Sequence, residues 1–253
     1  MKKRVGLIGF GIIGRYLYQE LSSDDVEFAF VYDISPEGQM PNIESFTNSF
    51  DDVMKQCQKG LDLVIEAAGV QAVVRTCPTI LKYADMMIFS LCSFSEEAFA
   101  DKIQSVCKMH GHHVFIPHGA ILGLDGIKDG KTILEAVSIT TIKSPESLGR
   151  KDKSRTVLYE GPTREASKLF PKNINVHAAI AIAGLGFDKT ISVIISDPAA
   201  TGNTHIIEVT ARGCRFKVEV MSKPVAGVTG AYTPVSAYSS VKRILFRNSI
   251  EIA

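Results

Sequence analysis

A glycine-rich turn between an apolar strand and an amphipathic helix constrains the fold of this chain more than any other feature. Gly9-Phe10-Gly11-Ile12-Ile13-Gly14 matches the pattern GxGxxG and follows an apolar run at residues 4–8. In residues 12–21, apolar side chains recur every four positions, as in a helix with one buried face. Asp33 comes nineteen residues after Gly14, at the end of the next apolar run. This spacing predicts a dinucleotide-binding βαβ unit.

The first part of the chain alternates between strand-like and helix-like segments. Further apolar runs occur at residues 27–32, 61–67, 86–91 and 114–117, and helical patterns occur at residues 70–83 and 95–109. Strands that alternate with helices in this way form a parallel sheet with helices on both faces. We therefore predict an α/β fold whose residues 1–118 form an N-terminal Rossmann-type, doubly wound parallel sheet.

After residue 118 the strand-like segments become longer, and in several of them apolar and polar residues alternate. They are residues 132–142, 190–196, 204–212 and 214–221, accompanied by helical patterns at 162–169 and 175–183. Apolar and charged residues alternate in 215–220, which is typical of a sheet with one solvated face. We predict a C-terminal α+β domain over residues 119–230 with a largely antiparallel, open-faced sheet. Thr233-Pro234 predicts the start of a last helix, and we expect residues 231–253 to pack back on the first domain.

Composition excludes several classes of function. The chain has 28 basic and 27 acidic side chains, and a net charge of +1 gives no electrostatic case for a nucleic-acid or anionic-membrane partner. The longest mostly apolar stretch, residues 176–187, is too short to cross a bilayer. Glycines interrupt the segment behind the basic N-terminus, so no secretory signal is predicted. We expect a soluble, cytoplasmic protein.

No pattern of metal ligands is predicted. The five cysteines are widely spaced and include no CxxC pair. Four histidines cluster in the sequence, but we find no acidic ligand accompanying them, and the adjacent pair would point to opposite faces of an extended segment. These histidines are His110, His112, His113 and His118.

The ends of the predicted parallel strands indicate how a nicotinamide dinucleotide would bind. The backbone of residues 9–14 would hold the pyrophosphate, with Gly11 allowing its close approach. Asp33 would accept hydrogen bonds from ribose hydroxyls and repel a 2′-phosphate, and no basic residue follows in residues 34–36. We therefore predict NAD, with NADP as the alternative. Ala67, Ala68 and Ser90 are further expected contacts, and a glycine turn without a ligand is the structural alternative.

Among the polar residues of the second domain, His205 is the strongest candidate for proton transfer. It lies in register with Ile207 and Val209, so we expect it on their buried face. An imidazole, with an ordinary pKa near ~6.5, suits proton transfer at neutral pH. A purely structural strand histidine is the alternative. Glu66 and Glu165 are possible bases, but nothing in their spacing distinguishes them from ordinary surface or packing carboxylates.

Several segments together resemble the L-aspartate dehydrogenase family. Besides the glycine turn they are residues 117–125 (PHGAILGLD), 164–166 (REA), 170–176 (FPKNINV), 183–190 (AGLGFDKT), 197–198 (DP) and 203–205 (NTH). The resemblance covers essentially the whole chain and is most specific between Gly161 and His205. It implies reversible NAD(P)-dependent oxidative deamination of L-aspartate, through iminoaspartate, to oxaloacetate and ammonia, and a link to NAD biosynthesis.

The resemblance also implies roles for individual residues. His205 matches the catalytic histidine of the family, and Ala120 and Asn175 match further cofactor-contacting positions. Lys143 stands where the family has a lysine before a proline and would pair with a substrate carboxylate, and Asn203 is a second substrate-binding candidate. The expected partner is thus a small dicarboxylic amino acid.

Two segments depart from the family pattern. Residues 229–233 read TGAYT where the family usually has Asn-Pro-Lys-Thr-Ser, and Cys92-Ser93 replace a Gly-Ala pair. Two alternatives therefore stay open. One is a divergent imine or amino-acid reductase of the dihydrodipicolinate-reductase type, and the other is a non-catalytic NAD-binding protein.

The open-faced sheet also predicts assembly. If helices of the chain cover one face of this sheet, a second subunit would cover the other, so we expect a homodimer.

Overall fold

The computed structural model describes residues 2–22, 25–34, 43–226 and 229–246. The chain divides into two compact units. The first unit is Met1–Pro117 with Pro234–Ala253, and the second is His118–Thr233.

The strands of the first unit are β1 (Lys3–Ile8), β2 (Val26–Tyr32), β3 (Phe46–Thr47), β4 (Leu63–Glu66), β5 (Met86–Ile88) and β6 (Val114–Phe115). Those of the second unit are β7 (Leu134–Lys143), β8 (Thr156–Pro162), β9 (Ile191–Ser196), β10 (Asn203–Ala211), β11 (Cys214–Ser222), β12 (Pro224–Ala226) and β13 (Thr229–Gly230). The helices are α1 (Ile12–Leu21), α2 (Phe50–Cys57), α3 (Val70–Ile80), α4 (Glu97–His110), α5 (Leu124–Asp129), α6 (Thr163–Leu169), α7 (Asn175–Ala183) and α8 (Tyr232–Leu245).

The first unit is built on a six-stranded sheet in the order β3-β2-β1-β4-β5-β6. Its strands pair in parallel throughout. The order reverses direction between β1 and β4, which is the doubly wound arrangement of a dinucleotide-binding sheet. The predicted α/β class with a Rossmann-type sheet is confirmed.

The core of the first unit contains residues of both α1 and α8, which are far apart in the sequence. The four-residue spacing of α1 buries Leu17 and Leu21 against the sheet. Ala237, Val241 and Leu245 of α8 belong to the same apolar cluster. The last helix is therefore an integral part of the first unit.

The second unit is built on a five-stranded sheet in the order β11-β10-β7-β9-β8. Neighbouring strands are antiparallel except for β7 and β9, which run parallel. Along β10 every second residue is buried, beginning with Asn203 and His205. Helix α7 lies on this buried face, because its His177 contacts Thr141 of β7. Within residues 215–220 of the edge strand β11, the charged residues are exposed and the apolar ones are half-buried, as the alternation predicts.

The structure contains elements that the sequence patterns did not predict. They are β3, β8, β12, β13, α2, α5 and short 3-10 helices, one of which (Lys131–Ile133) delays the start of β7 from residue 132 to Leu134. A shift in register between Val157 and Tyr159 interrupts the alternation of β8, which hides the strand pattern. Helix α3 is shorter than predicted and ends at Ile80, soon after Pro78. Among the described residues, no helix is long and apolar enough to cross a membrane.

Candidate functional site

The glycine turn of the first unit leaves one face of its backbone open. A Cβ at Gly14 would overlap the carbonyl oxygen of Gly9, so Gly14 lets α1 pack closely on the turn. Gly9 has a φ of 95°, and a Cβ there would lie 2.6 Å from the backbone of Ala67. Gly11 differs, because a Cβ on it would meet nothing within 4 Å. Packing therefore explains Gly9 and Gly14, whereas the absence of a side chain at Gly11 leaves room for a ligand.

Asp33 lies next to this turn, at the carboxyl end of β2. Its Oδ2 accepts a hydrogen bond of 2.7 Å from the backbone N–H of Phe10. The structure thus brings the predicted acidic residue and the glycine turn together. Ile12 and Ile13 follow as the first residues of α1. Ser35 and Pro36, on which the predicted cofactor preference partly depends, lie outside the described residues.

Glu66, which sequence spacing did not single out, connects two further strand ends. Its carboxylate is fully buried and accepts hydrogen bonds from the backbone N–H groups of Ala68, Gly69 and Ser90 and from the Ser90 hydroxyl. Burial raises the pKa of this carboxyl, and these hydrogen bonds oppose that rise. Glu66 therefore fixes the predicted contacts Ala67, Ala68 and Ser90 relative to one another. The only sequence signal for it is a charged residue inside an apolar run.

Cys92 and Ser93, which replace the Gly-Ala pair of the family pattern, follow Ser90 at this edge of the sheet. Both residues are buried in the 3-10 helix Leu91–Ser95. The Ser93 hydroxyl donates to the Ser90 carbonyl, with 2.9 Å between the oxygens. The replacement thus supplies a hydrogen bond that supports the turn at Ser90.

In the second unit, His205 and Thr141 face each other across neighbouring strands. They are direct partners in the antiparallel register of β10 and β7. His205 is 3% exposed, and its Nδ1 lies 2.8 Å from Thr141 Oγ1. The predicted position of His205, on the buried face with Ile207 and Val209, is what the structure shows.

A second histidine, absent from the sequence-based candidates, continues this contact. His177 of α7 is fully buried, with Nε2 2.6 Å from Thr141 Oγ1 and Nδ1 2.9 Å from Ser192 Oγ. Ser192 Oγ in turn lies 2.8 Å from Thr163 Oγ1, which donates to the Thr190 carbonyl at 2.9 Å. A row of buried side chains therefore extends from His205 through the second unit.

Both histidines are neutral in the folded protein. Burial, together with a smaller effect of the nearby Lys143 charge, lowers the pKa of His205 to about 3. Burial also holds the pKa of His177 well below its usual value, with contributions from His205 and Lys143. A buried pair of neutral imidazoles can accept protons, provided that an incoming charge favours the protonated form.

Lys143 places a buried ammonium group near these histidines. It is 3% exposed, and its Nζ donates to Asn173 Oδ1 at 3.2 Å. Burial lowers the pKa of Lys143 to about 8, so the side chain is still charged at neutral pH. Among the described residues no carboxylate pairs with it. A buried cation with a single amide oxygen as its acceptor is suited to binding an anion.

The other predicted residues of the second unit lie at three different places. Asn203 is buried, two positions before His205 on the same face of β10. Asn175 is the first residue of α7, and Ala120 lies in the turn that follows His118. Gly230, in the departing segment 229–233, packs so closely on Ser222 that a Cβ would overlap its hydroxyl. Ser222 pairs with Asn203. Segment 229–233, which differs from the family pattern, therefore lies close to the end of β10 that carries Asn203 and His205.

The histidine cluster of the first unit has an acidic neighbour, contrary to the expectation from sequence. Asp85 Oδ1 lies 3.3 Å from His112 Nδ1 and 3.5 Å from His113 Nδ1. Asp85 precedes β5, and the parallel pairing of β5 with β6 brings it to these histidines, which a linear pattern could not show. Within the described residues, no group of three or more His, Cys, Asp or Glu side chains is arranged to hold a metal ion.

Two family profiles match this chain, one over most of each unit. The profile described as "Aspartate dehydrogenase, C-terminal" matches residues 125–244, and that described as "Homoserine dehydrogenase, NAD binding domain" matches residues 6–117. An L-aspartate dehydrogenase of Methanococcoides burtonii is 35% identical over 261 residues, covering 95% of this chain and 96% of the relative.

Solved structures extend the comparison to the fold. The crystal structure of aspartate dehydrogenase from Thermotoga maritima superposes with a TM-score of 0.80 at 31% identity, covering 100% of both chains. A dihydrodipicolinate reductase from Paenisporosarcina sp. superposes with a TM-score of 0.55 at 12% identity, covering 96% of this chain and 92% of that one, and shares the fold alone. The chain therefore belongs to the L-aspartate dehydrogenase family, whose members are oxidoreductases that act on CH–NH2 groups.

Proposed function

We propose that this protein catalyses the reversible, NAD-dependent oxidative deamination of L-aspartate, through iminoaspartate, to oxaloacetate and ammonia. The observation that carries the proposal is a buried ammonium and a buried imidazole on one face of the second sheet: Lys143 lies two positions after Thr141 on the buried face of β7, and Thr141 Oγ1 lies 2.8 Å from His205 Nδ1. One group attracts an anionic substrate, and the other can move a proton. The names of the relatives support aspartate as that substrate.

Lys143 is proposed to bind a carboxylate of the substrate. Charge-assisted hydrogen bonds between ammonium and carboxylate are stronger than neutral ones, most of all in a buried site. Here the ammonium is buried, and its hydrogen bond to Asn173 Oδ1 is long at 3.2 Å. Asn203, on the same face as His205, is proposed to contact the substrate as well.

His205 is proposed to act on the water that hydrolyses the imine. The neutral imidazole takes a proton from this water as its oxygen bonds to the imine carbon, and it returns the proton when the hydroxyl departs in the reverse direction. A pKa of about 3 in the free protein is low for this role. Two substrate carboxylates bound nearby would offset the Lys143 charge and raise the pKa towards the working range.

The first unit is proposed to bind NAD. The open space at Gly11 and the start of α1 fit a pyrophosphate, because unpaired N–H groups at a helix start favour anions. NAD, when bound, supplies the hydride acceptor. Asp33 is proposed to contact the adenosine ribose and to disfavour a 2′-phosphate. Ala67, Ala68, Ser90, Ala120 and Asn175 are proposed as further cofactor contacts.

The direct test is NADH formation from L-aspartate and NAD, and NADH consumption with oxaloacetate and ammonium. We expect turnover in both directions and a rate at least tenfold higher with NAD than with NADP. Replacing His205 with Ala should remove turnover, because general acid–base groups typically contribute about 10²–10⁴-fold, while NAD still binds. The matched control is His110→Ala, which removes an exposed histidine at the end of α4. Absence of any NADH change in either direction, with NAD bound, would overturn the assignment and favour a non-catalytic NAD-binding protein.

A further inference from the structure

The buried row of side chains that begins at His205 ends on a backbone carbonyl. In order, it connects His205 Nδ1, Thr141 Oγ1, the two ring nitrogens of His177, Ser192 Oγ, Thr163 Oγ1 and the carbonyl oxygen of Thr190. Its four internal contacts measure between 2.6 and 2.9 Å, and the contact to the carbonyl measures 2.9 Å. All five side chains are at most 3% exposed, so solvent does not compete for these hydrogen bonds.

The Thr190 carbonyl determines the direction of the two hydrogen bonds at its own end of the row. A carbonyl oxygen can only accept, so the single hydroxyl proton of Thr163 is directed to Thr190. Thr163 must then accept from Ser192, whose own proton is used in that contact. Ser192 Oγ is left as an acceptor towards His177. The proton of His177 therefore resides on Nδ1.

The neutral state of His177 carries this direction to His205. A neutral imidazole with its proton on Nδ1 has an unprotonated Nε2, which accepts from the Thr141 hydroxyl. Thr141, having donated to His177, can only accept from His205. Two rings and three hydroxyl groups are thus oriented in sequence by one backbone carbonyl.

We infer that this relay holds His205 in the tautomer with its proton on Nδ1 and leaves Nε2 as the basic nitrogen. Thr141, His177, Ser192 and Thr163 are accordingly positioning residues. Among the described residues Nε2 of His205 has no hydrogen-bond partner, and it is not one of the fully enclosed side-chain atoms without a partner. Nε2 is therefore the ring nitrogen that is left to interact with a water molecule or a substrate.

The inference rests on the proposed function for its catalytic meaning, but the tautomer can be measured without turnover. In protein labelled with 15N-histidine, protonated and unprotonated ring nitrogens give well-separated NMR shifts, and the His205 signals are assigned by their loss in His205→Gln. At neutral pH and without substrate, we expect a protonated Nδ1 and an unprotonated Nε2. A protonated Nε2 in the wild-type protein would overturn the relay, whatever the activity.

Cutting the relay far from His205 tests its direction. In Ser192→Ala, His177 Nδ1 loses its acceptor, so His177 can place its proton on Nε2 and donate to Thr141, which then donates to His205 Nδ1. We expect more than half of His205 to shift to the Nε2–H form and kcat to fall by more than twofold, with KM for aspartate unchanged. The matched control is Ser167→Ala, which removes a buried serine hydroxyl that donates to the Thr163 carbonyl but is not part of the relay.

Thr141 provides a test by rescue. Thr141→Val removes the hydroxyl that joins the two histidines and should lower kcat at least tenfold, whereas Thr141→Ser retains the hydroxyl and should restore both kcat and the Nδ1–H signal. An unchanged tautomer in Ser192→Ala contradicts the relay. An Nδ1–H tautomer without aspartate turnover leaves the relay standing and overturns only the proposed function.

Discussion

The buried neutral state of His205 predicts that acid destabilises this protein in a specific pH range. In the folded protein the pKa of His205 is about 3, against 6.5 for an unperturbed histidine. Between these values the unfolded chain binds a proton that the folded chain does not, so the free energy of unfolding falls as pH decreases. The loss begins near pH 6.5 and is complete near pH 3. His177, whose pKa is also lowered by burial, adds a loss of the same sign.

The magnitude follows from the size of the shift. In this range, each decrease of one pH unit lowers the free energy of unfolding by about 1.4 kcal/mol for each such histidine. Between pH 6.5 and pH 5, His205 alone therefore costs about 2 kcal/mol. Lys143 does not contribute to this slope, since with a pKa of about 8 it is protonated in both states.

Urea unfolding at pH 7 and pH 5 measures the effect. The change between the two pH values is compared for wild type, His205→Gln and the exposed control His110→Gln. Wild type and the control should lose the same free energy, and His205→Gln should lose about 2 kcal/mol less. Equal losses in all three proteins would show that His205 protonates normally in the folded state, which would refute the reasoning.

Three further predictions concern the turn, the buried cation and assembly. Gly14→Ala should lower the free energy of unfolding by about 1–3 kcal/mol in urea titrations, because its Cβ would overlap the Gly9 carbonyl. Gly11→Ala should leave the free energy of unfolding within about 0.5 kcal/mol of wild type. It should, however, raise the Kd for NAD in calorimetry. Lys143→Met should stabilise the fold by up to about 3 kcal/mol at pH 7, since it removes the cost that lowers the lysine pKa from 10.5 to about 8, while raising KM for aspartate at least tenfold; an unchanged KM would remove Lys143 from the substrate site. Light scattering should show a homodimer, and a monodisperse monomer would contradict that proposal.

Patterns within one strand or helix were readable from the sequence, and contacts between elements were not. The glycine turn and the alternation along β10 identified the first sheet and the buried side of His205. Thr141 could not be recognised as its partner, because the two residues are 64 positions apart and meet only through the register of β7 and β10. The role of His177 is hidden for a related reason: it lies in the apolar segment of α7, where the sequence alone does not distinguish a histidine that is packed in the core from one that is hydrogen-bonded to neighbouring strands.

The same limit applies to Glu66. In the sequence it is only a charged residue inside the apolar run 61–67, and its role depends on the N–H groups of Ala68, Gly69 and Ser90. Those groups converge because β4 and β5 are neighbours in the sheet. Polar groups that are satisfied by neighbouring elements are predictable only once the strand order is known.

The position of α8 has a consequence for how the chain matures during synthesis. Ala237, Val241 and Leu245 complete the core of the first unit, although its sheet is built from residues before 118. On the ribosome, the second unit is translated in full while the first still lacks this helix. The second unit can therefore fold first, against the usual order in which N-terminal domains lead. A nascent chain that stalls before residue 237 would leave exposed the apolar surface of the first unit that α8 otherwise covers, and exposed apolar surface of this kind favours aggregation.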